Sequence, residues 1–290
     1  MDLTSIQTIN YIRNKYGFHM RKGLGQNFLQ DAAALDNIIQ AASLTPDSGT
    51  LEIGPGIGVL TARLAEASKK TVTIEIDTNL LEVLDETLAP YENIKIINAD
   101  VMKVDLAALI AEEFSDCASV SIAANLPYYI TTPILTRLLE DPALHVKDIV
   151  VMVQKEVAQR LCARPKTKSY SALSVLVAYH SVPEIVTVVP ASSFVPPPKV
   201  DSAVVKLAMR TTPPIQPLSE KAVFKTVRAA FGQRRKTLIN ALCGSNLYSL
   251  SKEEMKTLIT SLGFPETVRG EELGLQEFCV LSDALINSFK

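Results

Sequence analysis

The chain has 290 residues, of which 47% are apolar and 21% charged, so a disordered or fibrous protein is excluded and two domains are expected. The net charge of −2 argues against coating nucleic acid through bulk charge, and four scattered cysteines without Cys-x-x-Cys spacing predict neither a metal site nor disulfides. No apolar run is long enough to cross a bilayer and no secretory signal is recognisable, so we expect a cytoplasmic protein with no membrane partner.

From residue 50 onward, short apolar runs alternate with amphipathic segments, a pattern typical of a parallel sheet flanked by helices. Strands are predicted at residues 50–53, 71–76, 94–98, 120–124 and 148–153, with helices between them at 59–67, 80–88 and 106–114. Two later strands, 184–189 and 202–207, are predicted to close the sheet as a hairpin. The fold class is therefore α/β, with a Rossmann-like, doubly wound, mostly parallel sheet of seven strands.

A proline-rich segment marks the end of this first domain. Pro213, Pro214 and Pro217 fall within seven residues and forbid regular structure there. We place the domains at residues 1–210 and 211–290. Helices are predicted in the second domain at 220–242, 252–262 and 275–289, with no strand, so we expect a smaller all-helical C-terminal domain.

A glycine-rich turn is predicted where the first strand ends and a helix begins. Gly54, Gly56 and Gly58 alternate with other residues there, and glycine lets a ligand approach the backbone closely. A dinucleotide fingerprint needs a glycine where this chain has Val59, which disfavours a nicotinamide-dependent oxidoreductase. A tight turn without a ligand is the alternative.

Two acidic residues are predicted at the same edge of the sheet as the glycine turn. Glu75 is placed at the end of the second strand, and Asp100 follows the third. A carboxylate at the first position can accept both hydroxyls of a ribose, and one at the second can accept an adenine amino group. Each acid alone is typical of a solvated strand end. Together with the glycine turn they predict a nucleoside-binding crevice.

The segment Asn125-Leu126-Pro127-Tyr128 follows the fourth strand and indicates the reaction. An adenine exocyclic amine is a poor nucleophile because its lone pair is delocalised into the ring. The side-chain carbonyl of Asn125 and a main-chain carbonyl, of Leu126 or Pro127, can grip its hydrogens and favour a tetrahedral nitrogen. Tyr128 offers a face for base stacking, which requires the ring and not the hydroxyl. An ordinary turn is the alternative.

A second aromatic residue, Phe194, lies in the proline-rich segment 189–198. Proline restricts the backbone, so the segment is expected to hold this ring in one orientation. We predict that Phe194 covers the other face of a flipped base. A plug packed on the core is the alternative.

Basic residues concentrate in two acid-free stretches, 11–30 and 221–250. In a chain of net charge −2, such clusters favour contacts with RNA phosphates over a simple solvated face. The residues that we expect to contact RNA are Arg21, Lys22, Arg228, Arg234, Arg235 and Lys236.

Taken together, the motifs resemble those of the ribosomal RNA adenine dimethyltransferases, most closely their bacterial small-subunit branch. The matching segments run in order along the chain, at 22–29, 51–58, 75–77, 98–100, 125–128, 194–204 and 228–236. No single segment is specific, but the ordered set is.

The resemblance implies the methyl donor, its site and the substrate. The donor is S-adenosylmethionine, held by Asn27, Leu29, Gly54, Glu75, Asp100 and Asn125. The substrate is 16S ribosomal RNA within the assembling small subunit, where two adjacent adenosines of a hairpin near the 3′ end are dimethylated. The first domain is then the catalytic, donor-binding one, and the helical domain binds RNA or the ribosome. We expect a monomer with no DNA partner.

Three alternatives stay open. One is the large-subunit homologue, which acts on 23S ribosomal RNA. Another is a DNA adenine methyltransferase, although those enzymes more often have Asp at the position of Asn125. The last is an assembly factor whose main task is binding the immature subunit, with methylation secondary.

Overall fold

A computed structural model describes residues 1–17 and 27–288, which form two compact units. The first comprises Met1–Ala158 and Val182–Met209, and the second comprises Gln159–Ser181 and the chain from Arg210 onward. The chain passes from the first unit to the second for the last time after Met209, so the predicted boundary after residue 210 differs from it by one residue. Residues 159–181 were expected in the first domain but lie in the second unit, because Tyr170 and Val175 pack into its helical core.

The first unit contains a sheet of seven strands. The strands among the described residues are β1 (Phe28–Leu29), β2 (Ser48–Ile53), β3 (Lys70–Glu75), β4 (Ile94–Asn98), β5 (Ser119–Asn125), β6 (Asp148–Gln154), β7 (Ser181–Val189), β8 (Phe194–Val195) and β9 (Ser202–Met209). The sheet has the order β4-β3-β2-β5-β6-β9-β7, and β1 pairs separately with β8. The strands from β2 to β6 are parallel, whereas β9 is antiparallel to β6. The predicted seven-stranded, mostly parallel sheet is confirmed.

Helices surround this sheet and build the second unit. They are α1 (Ile6–Lys15), α2 (Ala32–Ala42), α3 (Val59–Ala67), α4 (Leu81–Thr87), α5 (Leu106–Glu113), α6 (Thr131–Glu140), α7 (Lys155–Leu161), α8 (Ala172–His180), α9 (Glu220–Gly232), α10 (Leu238–Cys243), α11 (Lys252–Ser261) and α12 (Leu275–Asn287). Side-chain caps define several starts: Asp31 accepts a hydrogen bond from the Ala34 amide at 3.1 Å, and Ser251 with Glu254 forms a capping box.

The centre of the sheet is buried on both faces. Every residue of β2 is buried, including Thr50 and Glu52, because helices cover both sides of parallel strands. The helix α2 contributes Leu35 and Ile38 to the core on one side. The polar side chains of Thr50 and Glu52 are therefore as inaccessible to water as the apolar ones of the same strand.

The turn between β2 and α3 requires glycine at specific positions. Gly56 and Gly58 have φ values of +60° and +88°, in the region that L side chains avoid. A Cβ at Gly58 would also lie 2.8 Å from Leu88 Cδ2. The chain can therefore turn sharply from β2 into α3, and the main chain of the turn stays accessible to a ligand.

In the second unit, the predicted single helix over 220–242 is wrong. The helix α9 ends at Gly232, because Gln233 leaves helical geometry with φ −134° and ψ 66°. A new helix then starts after Thr237, whose hydroxyl caps the Asn240 amide at 3.4 Å. The expected helical character of the C-terminal region is confirmed.

The described part of the chain holds no helix with both the length and the apolar character that a membrane crossing requires.

Candidate active site

A cavity opens at the carboxyl-terminal edge of the sheet in the first unit. It lies where the strand order reverses, since β3 and β5 flank β2 on opposite sides, and such points bind ligands in open α/β sheets. The lining includes all the residues that the sequence placed in a donor site and in an acceptor motif: Asn27, Leu29, Gly54, Glu75, Asp100, Asn125, Leu126, Pro127 and Tyr128. The structure therefore brings these residues together.

Glu75 and Asp77 have different environments although they are two residues apart. Glu75 lines the cavity with only 5% of its surface exposed, and its Oε1 accepts the Asp77 amide at 2.7 Å. Burial raises the pKa of the Glu75 carboxyl, while hydrogen bonds from the main chain at Asp77, Ile76 and Gly56 oppose that rise. Asp77 instead accepts from the Asn79 amide and starts a short 3-10 helix. Glu75 is thus the carboxyl available to a ligand.

Glu52 is a buried carboxyl that lines the same cavity, and no role was predicted for it. Its side chain is 1% exposed, and Oε2 has no hydrogen-bond partner among the described residues. Burial raises its pKa to about 8, the nearby hydroxyls of Thr61 and Thr73 lower it in part, and the charge of Glu75 raises it further. A carboxyl between two apolar residues of a predicted buried strand is the signal that could have indicated it.

The segment that carries Asp100 is braced by a helix on the acceptor side. Asp100 Oδ1 accepts the Met102 amide at 3.0 Å, so the side chain is held by its own turn. The Arg137 guanidinium, on α6, donates to the main-chain oxygens of Val101 and Val104. This brace could not be predicted, because an arginine in a helix is ordinarily a surface residue.

Asn125 ends β5 and faces residue 27 across the cavity. Its Nδ2 donates to the main-chain oxygen of Asn27 at 3.5 Å. The amide nitrogen is therefore directed toward the protein, and Oδ1 is the acceptor atom left for a ligand. This orientation is the one that the amine-gripping hypothesis requires.

The structure distinguishes between the two main-chain carbonyls that the sequence left open. The Pro127 oxygen accepts the Ile130 amide at 3.2 Å and the Thr131 hydroxyl at 3.0 Å. These two bonds use both of its acceptor positions. The Leu126 carbonyl is therefore the stronger candidate to accept a second amine hydrogen beside Asn125.

Two tyrosines follow in the cavity wall. Tyr128 is half-buried, burial raises its pKa, and its hydroxyl forms a hydrogen bond of 2.7 Å with Ser202 Oγ. Tyr129 is 56% exposed and lines the same cavity. We expected stacking to need only the ring of Tyr128, and the hydrogen bond of its hydroxyl was not predicted.

Phe194 does not line the cavity. It is 2% exposed and belongs to the same buried cluster as Leu29 and Met152. The short strand β8 pairs with β1, with Phe194 opposite Leu29, and this pairing turns the ring into the core. In this conformation the ring offers no face to a base, as in the plug alternative that the sequence left open.

The predicted basic residues fall into three groups. Arg21 and Lys22 lie outside the described residues. Arg228 lies with Lys221 and Lys225 on the exposed face of α9. Arg234 is engaged in its own unit, since it donates to the Lys168 main-chain oxygen at 3.0 Å and to Glu271 at 3.2 Å, whereas Arg235 and Lys236 are exposed beside it.

The parallel sheet, the glycine turn, the buried carboxyl after β3 and the Asn-Leu-Pro-Tyr segment after β5 define a Rossmann-like methyltransferase of class I. A family model described as ribosomal RNA adenine dimethylase matches residues 17–270. The chain belongs to this family, whose members use S-adenosylmethionine as methyl donor, and it is accordingly an enzyme that acts on ribosomal RNA.

Individual relatives agree with this assignment. The chain is 47% identical, over 286 residues and 98% of both sequences, to a protein of Bacillus cytotoxicus named ribosomal RNA small subunit methyltransferase A. It resembles the crystal structure of a dimethyladenosine transferase from Plasmodium falciparum, with TM-score 0.71, 29% identity and coverage of 87% of this chain and 95% of the other. It also resembles the 23S rRNA methyltransferase ErmE, with TM-score 0.66, 26% identity and coverage of 90% and 100%.

The raised pKa of Glu52 predicts a stability that depends on pH. Between the ordinary value of 4.5 and about 8, the folded state binds more protons at this site than the unfolded state. The free energy of unfolding should therefore fall as the pH rises through that window. In Glu52→Gln, which stays neutral, this decline should be absent. The free energy of unfolding of the variant should therefore rise relative to that of the wild type between pH 5 and pH 8.

The measurement is urea unfolding followed by circular dichroism, because the chain contains no tryptophan. Glu112→Gln, at an exposed site on α5, is the matched control. Parallel pH profiles for the wild type and Glu52→Gln would contradict the assignment of a raised pKa.

Proposed function

We propose that the enzyme dimethylates the exocyclic amines of two adjacent adenosines, in a hairpin near the 3′ end of 16S ribosomal RNA. It would act as a monomer on the assembling small subunit in the cytoplasm. The 47% identical relative named as a small-subunit enzyme supports this choice of substrate over 23S ribosomal RNA. The observation that carries the proposal is one cavity lined on one side by Glu75 and Asp100 and on the other by Asn125 and Tyr128.

The walls of the cavity fit S-adenosylmethionine. The main chain at Gly54 and Gly56 lines it where two positive φ values remove any side chain that would block approach. We assign the ribose hydroxyls to the Glu75 carboxylate and the adenine amino group to Asp100, with Asn27 and Leu29 in the opposite wall. When bound, the donor supplies an electrophilic methyl group.

On the acceptor side, Asn125 Oδ1 and the Leu126 main-chain oxygen would each accept one hydrogen of the adenine amine. Two acceptors arranged in this way favour a pyramidal nitrogen, whose lone pair is no longer delocalised into the ring. Neither acceptor is a base, so the proton lost from nitrogen passes to water. The aromatic ring of Tyr128 would stack on the adenine base and hold it in place.

We assign Phe194 an indirect role in place of stacking on the base. Its burial against Leu29 in the β1–β8 pair holds that donor-side residue in place. For the RNA, the exposed cations of the second unit, Arg228, Arg235 and Lys236, would bind phosphates without reading sequence. Arg234 would support them through its bonds to Lys168 and Glu271.

Labelled donor, incubated with small subunits from a strain that lacks this modification, tests the proposal directly. We expect dimethyladenosine at two adjacent positions, mapped by mass spectrometry of RNA fragments. Large subunits, naked DNA and fully methylated small subunits serve as the other arms. Methylation confined to 23S ribosomal RNA or DNA would overturn the proposal, and tight particle binding without methylation would favour an assembly factor.

Glu75 should control donor binding. Glu75→Ala should weaken it by about 1.5 to 3 kcal/mol, the usual value for charge-assisted hydrogen bonds. Because burial raises the pKa of Glu75, donor affinity in the wild type should decline on acidification at a higher pH than an ordinary glutamate would give. Glu75→Gln should bind weakly with little pH dependence. Calorimetry reads both effects, with Glu112→Gln as control, and unchanged affinity would remove Glu75 from the site.

Asn125 should control chemistry. Asn125→Ala should slow methyl transfer by roughly a hundredfold, the scale for one positioned polar group, while the fold stays intact. The second transfer should suffer more, because a monomethylated amine offers only one hydrogen to grip. Monomethyladenosine should then accumulate in the mass spectra. Wild-type yields of dimethyladenosine from this variant would refute the amine-gripping mechanism while leaving the family assignment intact.

The exposed pair Arg235 and Lys236 should bind phosphate. Replacing both with Ala should weaken binding to small subunits and reduce the slope of log affinity against log salt by about one to two. Donor binding should be unchanged. The matched control replaces two cations of α11 outside the acid-free stretch: Lys252, which is exposed, and Lys256, which is partly exposed and pairs with Glu266 at 3.0 Å. Equal salt slopes for both double variants would show that the pair is only a solvated face.

A further inference from the structure

The hydroxyl of Tyr128 is bonded to a buried residue on another strand. Tyr128 Oη and Ser202 Oγ lie 2.7 Å apart, and Ser202 has no exposed surface. Ser202 is the first residue of β9, where it pairs with Gln154 of β6. The partner of the tyrosine is therefore part of the sheet and not of a loop.

Main-chain hydrogen bonds hold the two residues between Asn125 and Tyr128. The Leu126 amide donates to the Met152 oxygen at 3.1 Å, and Pro127 is held by Ile130 and Thr131. These bonds place the backbone, but they leave the two side-chain torsions of Tyr128 undetermined. The bond to Ser202 holds the hydroxyl end of the ring.

Asp201, the neighbour of Ser202, fixes the surrounding segments. Its Oδ1 accepts the Ala191 amide at 3.2 Å, and its main-chain oxygen accepts the Lys155 amide at 3.0 Å. The main chain before Ser202 is held by these bonds, and Ser202 itself pairs with Gln154 in the sheet, so its hydroxyl has a defined position. A buried hydroxyl of defined position can orient a ring, whereas an exposed one would exchange its bond with water.

We propose that Ser202 is a positioning residue for the methyl acceptor: its hydroxyl fixes the ring of Tyr128 in the plane against which the target adenine stacks, a role that rests on the proposed function. Ser202 is not part of the cavity lining, so we assign it no contact with either substrate. Stacking tolerates small tilts, but an amine gripped by Asn125 and Leu126 must also remain aligned with the donor. The second transfer, which has one hydrogen fewer to grip, depends most on the plane of the base.

The test uses Ser202→Ala, Tyr128→Phe and the double variant, in single-turnover methylation of undermethylated small subunits with saturating S-adenosylmethionine. Ser202→Ala should slow the reaction about three- to tenfold, the scale for one hydrogen bond, and should raise the fraction of monomethyladenosine. Donor affinity should be unchanged. The double variant should be no slower than either single variant, because the two changes remove the same bond.

Ser121→Ala is the matched control. Ser121 is a buried serine of β5 whose hydroxyl bonds the Ala42 oxygen at 3.3 Å, away from the acceptor segment. It should lower thermal stability by a similar amount as Ser202→Ala without changing the ratio of mono- to dimethyladenosine. An equal product ratio in both variants would overturn the positioning role, as would rate losses in Ser202→Ala and Tyr128→Phe that multiply in the double variant.

The failure of the proposed function and the failure of the role of Ser202 give different results. If the wild type makes no dimethyladenosine on small subunits, the proposed function fails. If the wild type does so and Ser202→Ala matches it, only the role of Ser202 fails. Should Ser202→Ala not fold, Tyr128→Phe carries the same test, because it removes the bond at a half-buried site and leaves the ring in place.

Discussion

The complete burial of β2 is the constraint on which the catalytic unit depends. The main-chain N–H and C=O groups of a fully buried strand must be hydrogen-bonded along both edges, and here β3 occupies one edge and β5 the other. The carboxyl ends of three strands then meet at a single gap, with the glycine turn at its centre. Because the chain leaves β2 through Gly54 and Gly56, neither of these two positions carries a side chain that would occupy the gap. The carboxyl of Glu75 and the amide of Asn125 lie on opposite sides of it because their strands do.

Around the mouth of this gap, hydrogen bonds join segments that are far apart in the sequence. Asn125 bonds the main chain of Asn27, and a few residues later the Gln30 amide donates to the Ser193 oxygen at 2.8 Å. The segment of Ser193 is held in turn by Asp201, and Ser202 returns to Tyr128. The walls of the site therefore support one another, and a change in one segment is transmitted to the next. Such mutual support is how a preformed polar site keeps its geometry without a ligand.

The sequence predicted the parts of this unit that have periodic patterns. The five parallel strands, the helices after β2, β3 and β4, and the glycine turn were all recognisable, since each combines apolar spacing with a breaker residue. The two-residue strands β1 and β8 were not, because two residues have no period, and their pairing is what buried Phe194. The break in the helix after Gly232 was missed because Arg234 to Lys236 are good helix formers. Ser202 gave no signal, since a serine at the start of a strand is ordinary until its partner is known.

The brace from Arg137 to the Asp100 segment gives α6 two attachments. The helix begins at Thr131, which bonds the acceptor segment through Pro127, and Arg137 lies about 9 Å further along at 1.5 Å per residue. One helix thus connects the segment that we propose to grip the amine with the segment that we propose to hold the donor's adenine. Under that proposal, the spacing between the two segments is set by helix geometry, which varies little with sequence on the exposed face. Substitutions on the exposed face of α6 would therefore alter the surface of this unit without altering the distance between the two segments that the helix joins.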